Sequence, residues 1–298
     1  MKLATTTGDF DRWAYTYEEA VEMVGEAGFR YVDLCMGKVL CEREDGLTYA
    51  AKLREHTEKL GMRFVQAHSP TGNPLSTQDR EKLLRRTKRS IELCKVLGIP
   101  QTVIHVGWKK DIGEEEFFES NLAFIKELFP VMEETGVNVL VENSTRKNLG
   151  GYYYFFTGRQ MADFLHYANH PLLHAVWDTG HGNTEGGQYE QLTALGKELY
   201  GLHIHDNSER GDEHTLPYFG SLNLDDVMNG LIDAGYNGYF TFEVLKGLLG
   251  SGNRDCPRHP FPRDTRLLEP TLAMRKDMER LLYTIGKHCL TSYGVWEE

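Results

Sequence analysis

Eight short β-rich segments, recurring at intervals of roughly 25 to 40 residues and each followed by a longer stretch of helical periodicity, constrain this chain more than any other feature. The strands are expected at Leu3–Thr7, Tyr31–Met36, Arg63–Ala67, Thr102–Val106, Asn138–Glu142, His174–Asp178, Gly201–His205 and Tyr239–Val244. Such alternation argues for parallel strands joined by crossover helices, and eight βα units close into one (β/α)8 barrel. Five of the helical stretches stop at Gly28, Gly61, Gly98, Gly136 or Gly235, the residue that best tolerates a left-handed helix end. No linker divides the chain, so residues 1–298 are expected to form a single domain. Two long connections follow strands: Thr145–Thr157, and a Gly-, Pro- and Arg-rich loop at 246–270. In a parallel barrel both open onto the functional mouth.

Composition narrows the class. The net charge of -11 repels phosphate backbones and anionic membranes, which disfavours nucleic-acid and membrane partners. Five scattered cysteines without C-x-x-C spacing suggest neither a disulfide framework nor a thiolate zinc site. With no signal-peptide pattern and no apolar run of about 18 residues, a cytoplasmic protein is expected.

The chemistry gathers at strand ends. His68, His105, His181, His203, His205 and His214 fall at or just beyond them, as do Glu142, Asp178 and Glu243. An unpaired carboxylate at the inner end of an apolar strand costs several kcal/mol to desolvate, so each calls for a cation or basic partner. A divalent metal would satisfy all three. Among Mn, Co, Zn and Mg, a mixed imidazole and carboxylate set suits the first three better. The run Arg80, Lys82, Arg85, Arg86, Lys88 and Arg89 offers no nucleic-acid footprint, since Arg89 would lie about 14 Å down an outer helix from Arg80. No dinucleotide fingerprint, P-loop or nucleophile elbow is present, and Gly180–Gly187 reads as a flexible loop. Trp108 and the aromatic run Tyr152–Phe156 are candidates for a pocket wall or a subunit contact in a homo-oligomer, whereas Trp177 is expected to pack outward.

The ordered series His68-Ser69-Pro70, His105-Val106-Gly107, Val141-Glu142-Asn143, Asp178-Thr179-Gly180-His181, Leu202-His203-Ile204-His205-Asp206, Asp212-Glu213-His214 and Phe242-Glu243 resembles the xylose isomerase-like barrels. That superfamily includes sugar isomerases, ketose 3-epimerases, inosose dehydratases and endonuclease IV. The resemblance implies a TIM barrel in which Glu142, Asp178, His203 and Glu243 hold one metal, with His205 the alternative ligand on strand seven. It implies that Glu142 and Glu243 double as acid/base residues and that His181 binds substrate; His68, His105, His205 and Arg210, with Trp108 from its place in a loop, are the further candidates for binding substrate.

The resemblance leaves the reaction open. The leading expectation is a metal-dependent isomerase or epimerase of a small keto-sugar or polyol-type substrate, working through an enediolate. The Arg that 3-epimerases place after the strand-seven His aligns only approximately with Glu209-Arg210, so an inosose dehydratase-like lyase is an alternative. Asp212 and His214 complete the nine positions that endonuclease IV uses for three zinc ions, which makes them candidates for additional metal and a phosphodiesterase acting on abasic DNA the other alternative. Against that stand the acidic surface and Ser69-Pro70-Thr71-Gly72 where the repair enzyme has an aromatic wedge.

Overall fold

A computed structural model describes residues 1–146, 152–245 and 270–298 of the chain. Within them eight strands form one parallel sheet: β1 Lys2–Thr6, β2 Tyr31–Cys35, β3 Arg63–His68, β4 Gln101–Ile104, β5 Asn138–Glu142, β6 Leu173–Asp178, β7 Leu199–His203 and β8 Tyr239–Phe242. The order β7-β6-β5-β4-β3-β2-β1-β8 follows the chain, and a parallel bridge from Ile204 to Phe242 joins the two ends of the sheet. The result is the expected TIM barrel.

Most of the core lies between strands and outer helices, where Phe29, Phe117, Phe164, Phe240 and Trp177 are buried. Trp177 also donates from Nε1 to Gln188 at 2.9 Å, as its outward direction required. Inside the barrel, Val103, Leu140 and Val176 form a separate small cluster beside Gln66 and Gln101, which are hydrogen-bonded at 3.1 Å. Gly201 makes room for them: a Cβ there would sit 2.5 Å from Gln66 Oε1 and 2.8 Å from a Leu140 methyl. This layer floors the site.

Helix ends follow local chemistry. Thr16, Thr157, Asn223 and Thr271 cap the helices Tyr17–Glu26, Gly158–Ala168, Leu224–Asp233 and Leu272–Ser292 by accepting a backbone N–H. All five expected helix-stop glycines have positive φ.

Some expectations need correction. A single helix over 115–135 is broken into Glu114–Lys126 and Phe129–Thr135, because Pro130 has no N–H to continue a helix but fits the first turn of a new one. The glycine-rich stretch after Asp178 is a helix, Thr179–Glu185, nucleated by the Asp178 carboxylate, which accepts from His181 N at 2.7 Å. Phe155 is fully buried among Phe117, Phe118 and Phe164 and so lines no pocket.

The basic run lies on the helix Arg80–Leu97, where Arg80, Arg86 and Arg89 pair with Glu127, Glu42 and Glu92. The loop expected at 246–270, with Arg254, Arg258, His259 and Arg263, falls outside the described residues except for Pro270. No helix among the described residues is long and apolar enough to cross a membrane. Cys35, Cys41, Cys94 and Cys289 are free thiols.

Candidate metal centre and active site

Parallel strands deliver their last residues to one mouth. His68, Glu142, Asp178 and His203 are the final residues of β3, β5, β6 and β7, and Glu243 directly follows β8. Glu142, Asp178, His203 and Glu243 each offer a ligand atom within 4.8 Å of the others. Their carboxylates are buried, at 2%, 0% and 8% exposure, too close and too dry to coexist without positive charge. Among the described residues, their ion-pair partners are all histidines. No arginine or lysine among the described residues pairs with them.

Glu142 is the hub. Its Oε1 lies 2.8 Å from His203 Nδ1, and its Oε2 lies 2.8 Å from His105 Nε2 and 3.5 Å from His68 Nε2. Burial would raise its pKa, but the charges and hydrogen bonds of His203 and His105 outweigh that and hold it well below the carboxylate range. Asp178 is likewise lowered, because His181 and His205 overcome its desolvation. Burial works against charge on the imidazoles too. His203 is nonetheless held well above its ordinary value by Glu243 and Glu142, and His181 by Asp178 and Asp212. His214 is raised to about 9, since Asp212 overcomes burial.

Three of the histidines are aimed by backbone. His68 donates from Nδ1 to Ser69 O at 2.9 Å, His181 to Asn143 O at 2.9 Å and His214 to Glu243 O at 3.1 Å. Each is left with Nε2 facing a carboxylate, the arrangement that fixes tautomer and ring direction in metal-ligating histidines. Two further groups result: His68, His105 and Glu142, and His181, Asp212 and His214. His205, the alternative strand-seven residue, is buried with Nε2 2.9 Å from Asp178 and its ring stacked 3.9 Å from that of His214. It stands outside the four-residue group, joining His214 and Glu243 instead.

A cavity of about 290 Å³ borders this cluster. Of the expected substrate-binding residues, His105, His181 and Trp108 line it, together with Asn143, Ser144 and Tyr153. His68 and His205 lie deeper, and Arg210 is exposed on the loop after β7. Three functional neighbours escaped the sequence reading. Asn73 accepts from Trp108 N at 3.1 Å and donates to Trp108 O at 2.7 Å, pinning the indole's backbone. Asn143 bonds both ways to the Asp178 backbone, at 2.6 and 3.0 Å. Asp33, on β2, reaches within 3.5 Å of His203 Nε2. The adjacency of Asn143 to Glu142 and the placing of Asp33 between Val32 and Leu34 were the available signals.

The residues fit a divalent metal: nitrogen and oxygen donors converge, and Glu142 Oε2 is buried with no well-aligned hydrogen bond.

Comparison with known proteins bears on the fold and the family. The chain is 25% identical over 223 residues to an uncharacterized protein of Methanocaldococcus jannaschii, covering 69% of this chain and 73% of the relative. The crystal structure of D-psicose 3-epimerase in the presence of D-fructose superposes with a TM-score of 0.75 at 16% identity, over 97% of this chain and 99% of that one. The IOLI protein with a bound zinc atom gives a TM-score of 0.75 at 16% identity, over 98% and 99%. At such identities the solved structures establish the shared fold. The family described as the xylose isomerase-like TIM barrel matches residues 21–267, and this chain belongs to it.

Proposed function

We propose that the protein is a divalent-metal-dependent isomerase or epimerase of a small keto-sugar or polyol-type substrate. The observation that carries this reading is the convergence of Glu142 and Glu243, from β5 and from the end of β8, on His203 Nδ1 at 2.8 and 3.6 Å, beside a cavity sized for a small ligand. A metal held by Glu142, Asp178, His203 and Glu243 would supply Lewis-acid polarisation of a carbonyl and its neighbouring hydroxyl. Glu142 and Glu243 then remove a carbon-bound proton from one face and return one to the other. His105 and His181 offer ring nitrogens to substrate hydroxyls, while Trp108 and Tyr153 give an apolar wall that excludes water. The similarity to a D-psicose 3-epimerase supports the same class.

The test is exchange chemistry. Metal-loaded protein incubated with unphosphorylated ketoses in D2O should place deuterium at one substrate carbon, seen by NMR, and chelation should stop it. About one tightly bound metal per chain is expected, with His68, His105 and His214 acting on substrate or on the ligands.

A second reading rests on two of the three-residue groups beside the four-residue one, His68, His105 and Glu142, and His181, Asp212 and His214. They would let the chain hold three zinc ions and cleave abasic DNA. Close to three zinc ions per chain by elemental analysis, with incision of an abasic duplex and no ketose exchange, would replace the first reading with this one.

A further inference from the structure

Asp33 is the one acidic side chain of β2, and it is completely buried. The β2–β3 register slips by one residue between Val32 and Asp33, the kind of irregularity that re-aims a side chain. Oδ2 of Asp33 comes to lie 3.5 Å from Nε2 of His203. Neither carboxylate oxygen of Asp33 has a hydrogen-bond partner, and neither does His203 Nε2. A buried carboxylate left in this state costs several kcal/mol unless something compensates it, and the only group facing it at ion-pair distance among the described residues is that imidazole nitrogen.

The other histidines show what is missing. His68, His181 and His214 each spend Nδ1 on a backbone carbonyl and turn Nε2 toward the centre. His203 is reversed: Nδ1 faces Glu142 at 2.8 Å and Glu243 at 3.6 Å, so the nitrogen that must be anchored is Nε2. No carbonyl serves it. Asp33 stands in that place.

We propose that Asp33 is the positioning residue of the metal centre: it accepts the Nε2 proton of His203, thereby fixing the tautomer that presents Nδ1 to the metal and raising that nitrogen's basicity. A gap of 3.5 Å closes to hydrogen-bond length with a small ring tilt, and ligand-bound carboxylate–histidine pairs of this kind tune metal affinity from one shell out. The inference rests on the reading that Glu142, Asp178, His203 and Glu243 hold a divalent ion.

Full-length protein stripped by chelator is titrated with Co2+, following calorimetry and the visible d–d bands. Asp33→Asn, which keeps volume and removes charge, should weaken Co2+ binding about 10- to 100-fold and shift the bands, with an unchanged far-UV spectrum. Asp33→Glu should recover part of the affinity. A merely structural Asp33 would lower the melting temperature of the stripped protein and leave the Co2+ affinity of the folded molecules within twofold of wild type, and that result overturns the inference. Should Asp33→Asn not fold, 15N NMR of Zn2+-loaded wild type decides, with His203 assigned by loss of its signals in His203→Asn. Nε2 must carry the proton and Nδ1 the metal, and the reverse assignment overturns the proposal. If wild type binds no Co2+, the metal reading falls as well; if wild type binds and Asp33→Asn binds equally, this inference falls alone.

Discussion

Arg275 donates from Nη1 to the carbonyl of Val244 at 2.9 Å, tying the C-terminal helix Leu272–Ser292 to the residue next to Glu243. The same guanidinium pairs with Asp9 and with Glu279, and Glu279 in turn accepts from Thr5 Oγ1 at 2.6 Å. Arg275, Asp9 and Glu279 are each at most 2% exposed. Burial, against the opposing pull of Arg275, pushes the Asp9 pKa well above the carboxylate range, which favours its neutral form and leaves the guanidinium charge to Glu279. Replacing Arg275 by Met leaves buried Glu279 without its counter-ion, Asp9 without its guanidinium partner and the end of β8 untethered. The expected loss is about 3–5 kcal/mol, read by denaturant melts. A variant that also carries Asp9→Leu and Glu279→Leu should recover much of it. A single variant as stable as wild type would show that the strut contributes nothing.

Acid/base chemistry at Glu142 and Glu243 is tested by removing charge at constant shape. Glu142→Gln and Glu243→Gln should each lower turnover of an identified substrate by about 10²- to 10⁴-fold, the range for loss of a general acid or base. Circular dichroism should stay that of wild type. Near-wild-type turnover in either would remove that residue from the chemistry.

The stripped protein should have an unusual pH profile. His214 is raised from 6.5 to about 9, so its contribution is fully present below about pH 6.5 and is lost as pH climbs through about 9. His203 and His181 are raised as well and act in the same sense. From His214 alone the effect is roughly 3 kcal/mol. Glu142 and Asp178, held low, contribute above their ordinary values of 4.5 and 3.8 and lose that contribution as pH falls. Melting temperature in chelator should therefore peak between about pH 5 and 6.5. Added Mn2+ needs neutral imidazoles and ionised carboxylates, so its stabilising effect should grow toward pH 8. A stripped protein that melts higher at pH 9 than at pH 6 would contradict this.

Gly180 is required by contact. A Cβ there would sit 1.9 Å from Cε1 of His205, which itself lies 2.9 Å from Asp178. Gly180→Ala must displace the imidazole or the helix Thr179–Glu185, costing about 1–3 kcal/mol by overpacking. Weaker metal binding should accompany the lower melting temperature. An unchanged Co2+ titration would show that His205 does not help hold Asp178 in place.

Much of the architecture was legible because it is periodic. Glycine stops and alternating β and helical patterns are local signals, and they placed all eight strands to within a few residues. The site was legible for a related reason. In a parallel barrel the last residue of every strand faces the same mouth, so the six histidines and three carboxylates could be gathered from their place at or near strand ends, while the choice of Glu142, Asp178, His203 and Glu243 among them came from the family resemblance. Where local signals conflict, reading failed: Pro130 divides a helix that amphipathic pattern runs straight through, and the Asp178 cap makes a helix of residues whose glycines suggest a loop.

By itself, then, the sequence determined the barrel and which strand ends carry imidazole and carboxylate, since both follow from residue type and spacing along the chain. Only the tertiary structure decided how those groups face one another. That His203 turns Nδ1 inward and Nε2 toward Asp33, that Asn143 braces Asp178, and that Phe155 packs inward beside Tyr153 at the cavity depend on ring rotation, a register slip and packing between strands 30 to 170 residues apart. Spacing along a chain carries no information about side-chain torsions, and it is those torsions, set by the neighbours each residue meets after folding, that turn a ring of strand ends into a candidate metal site.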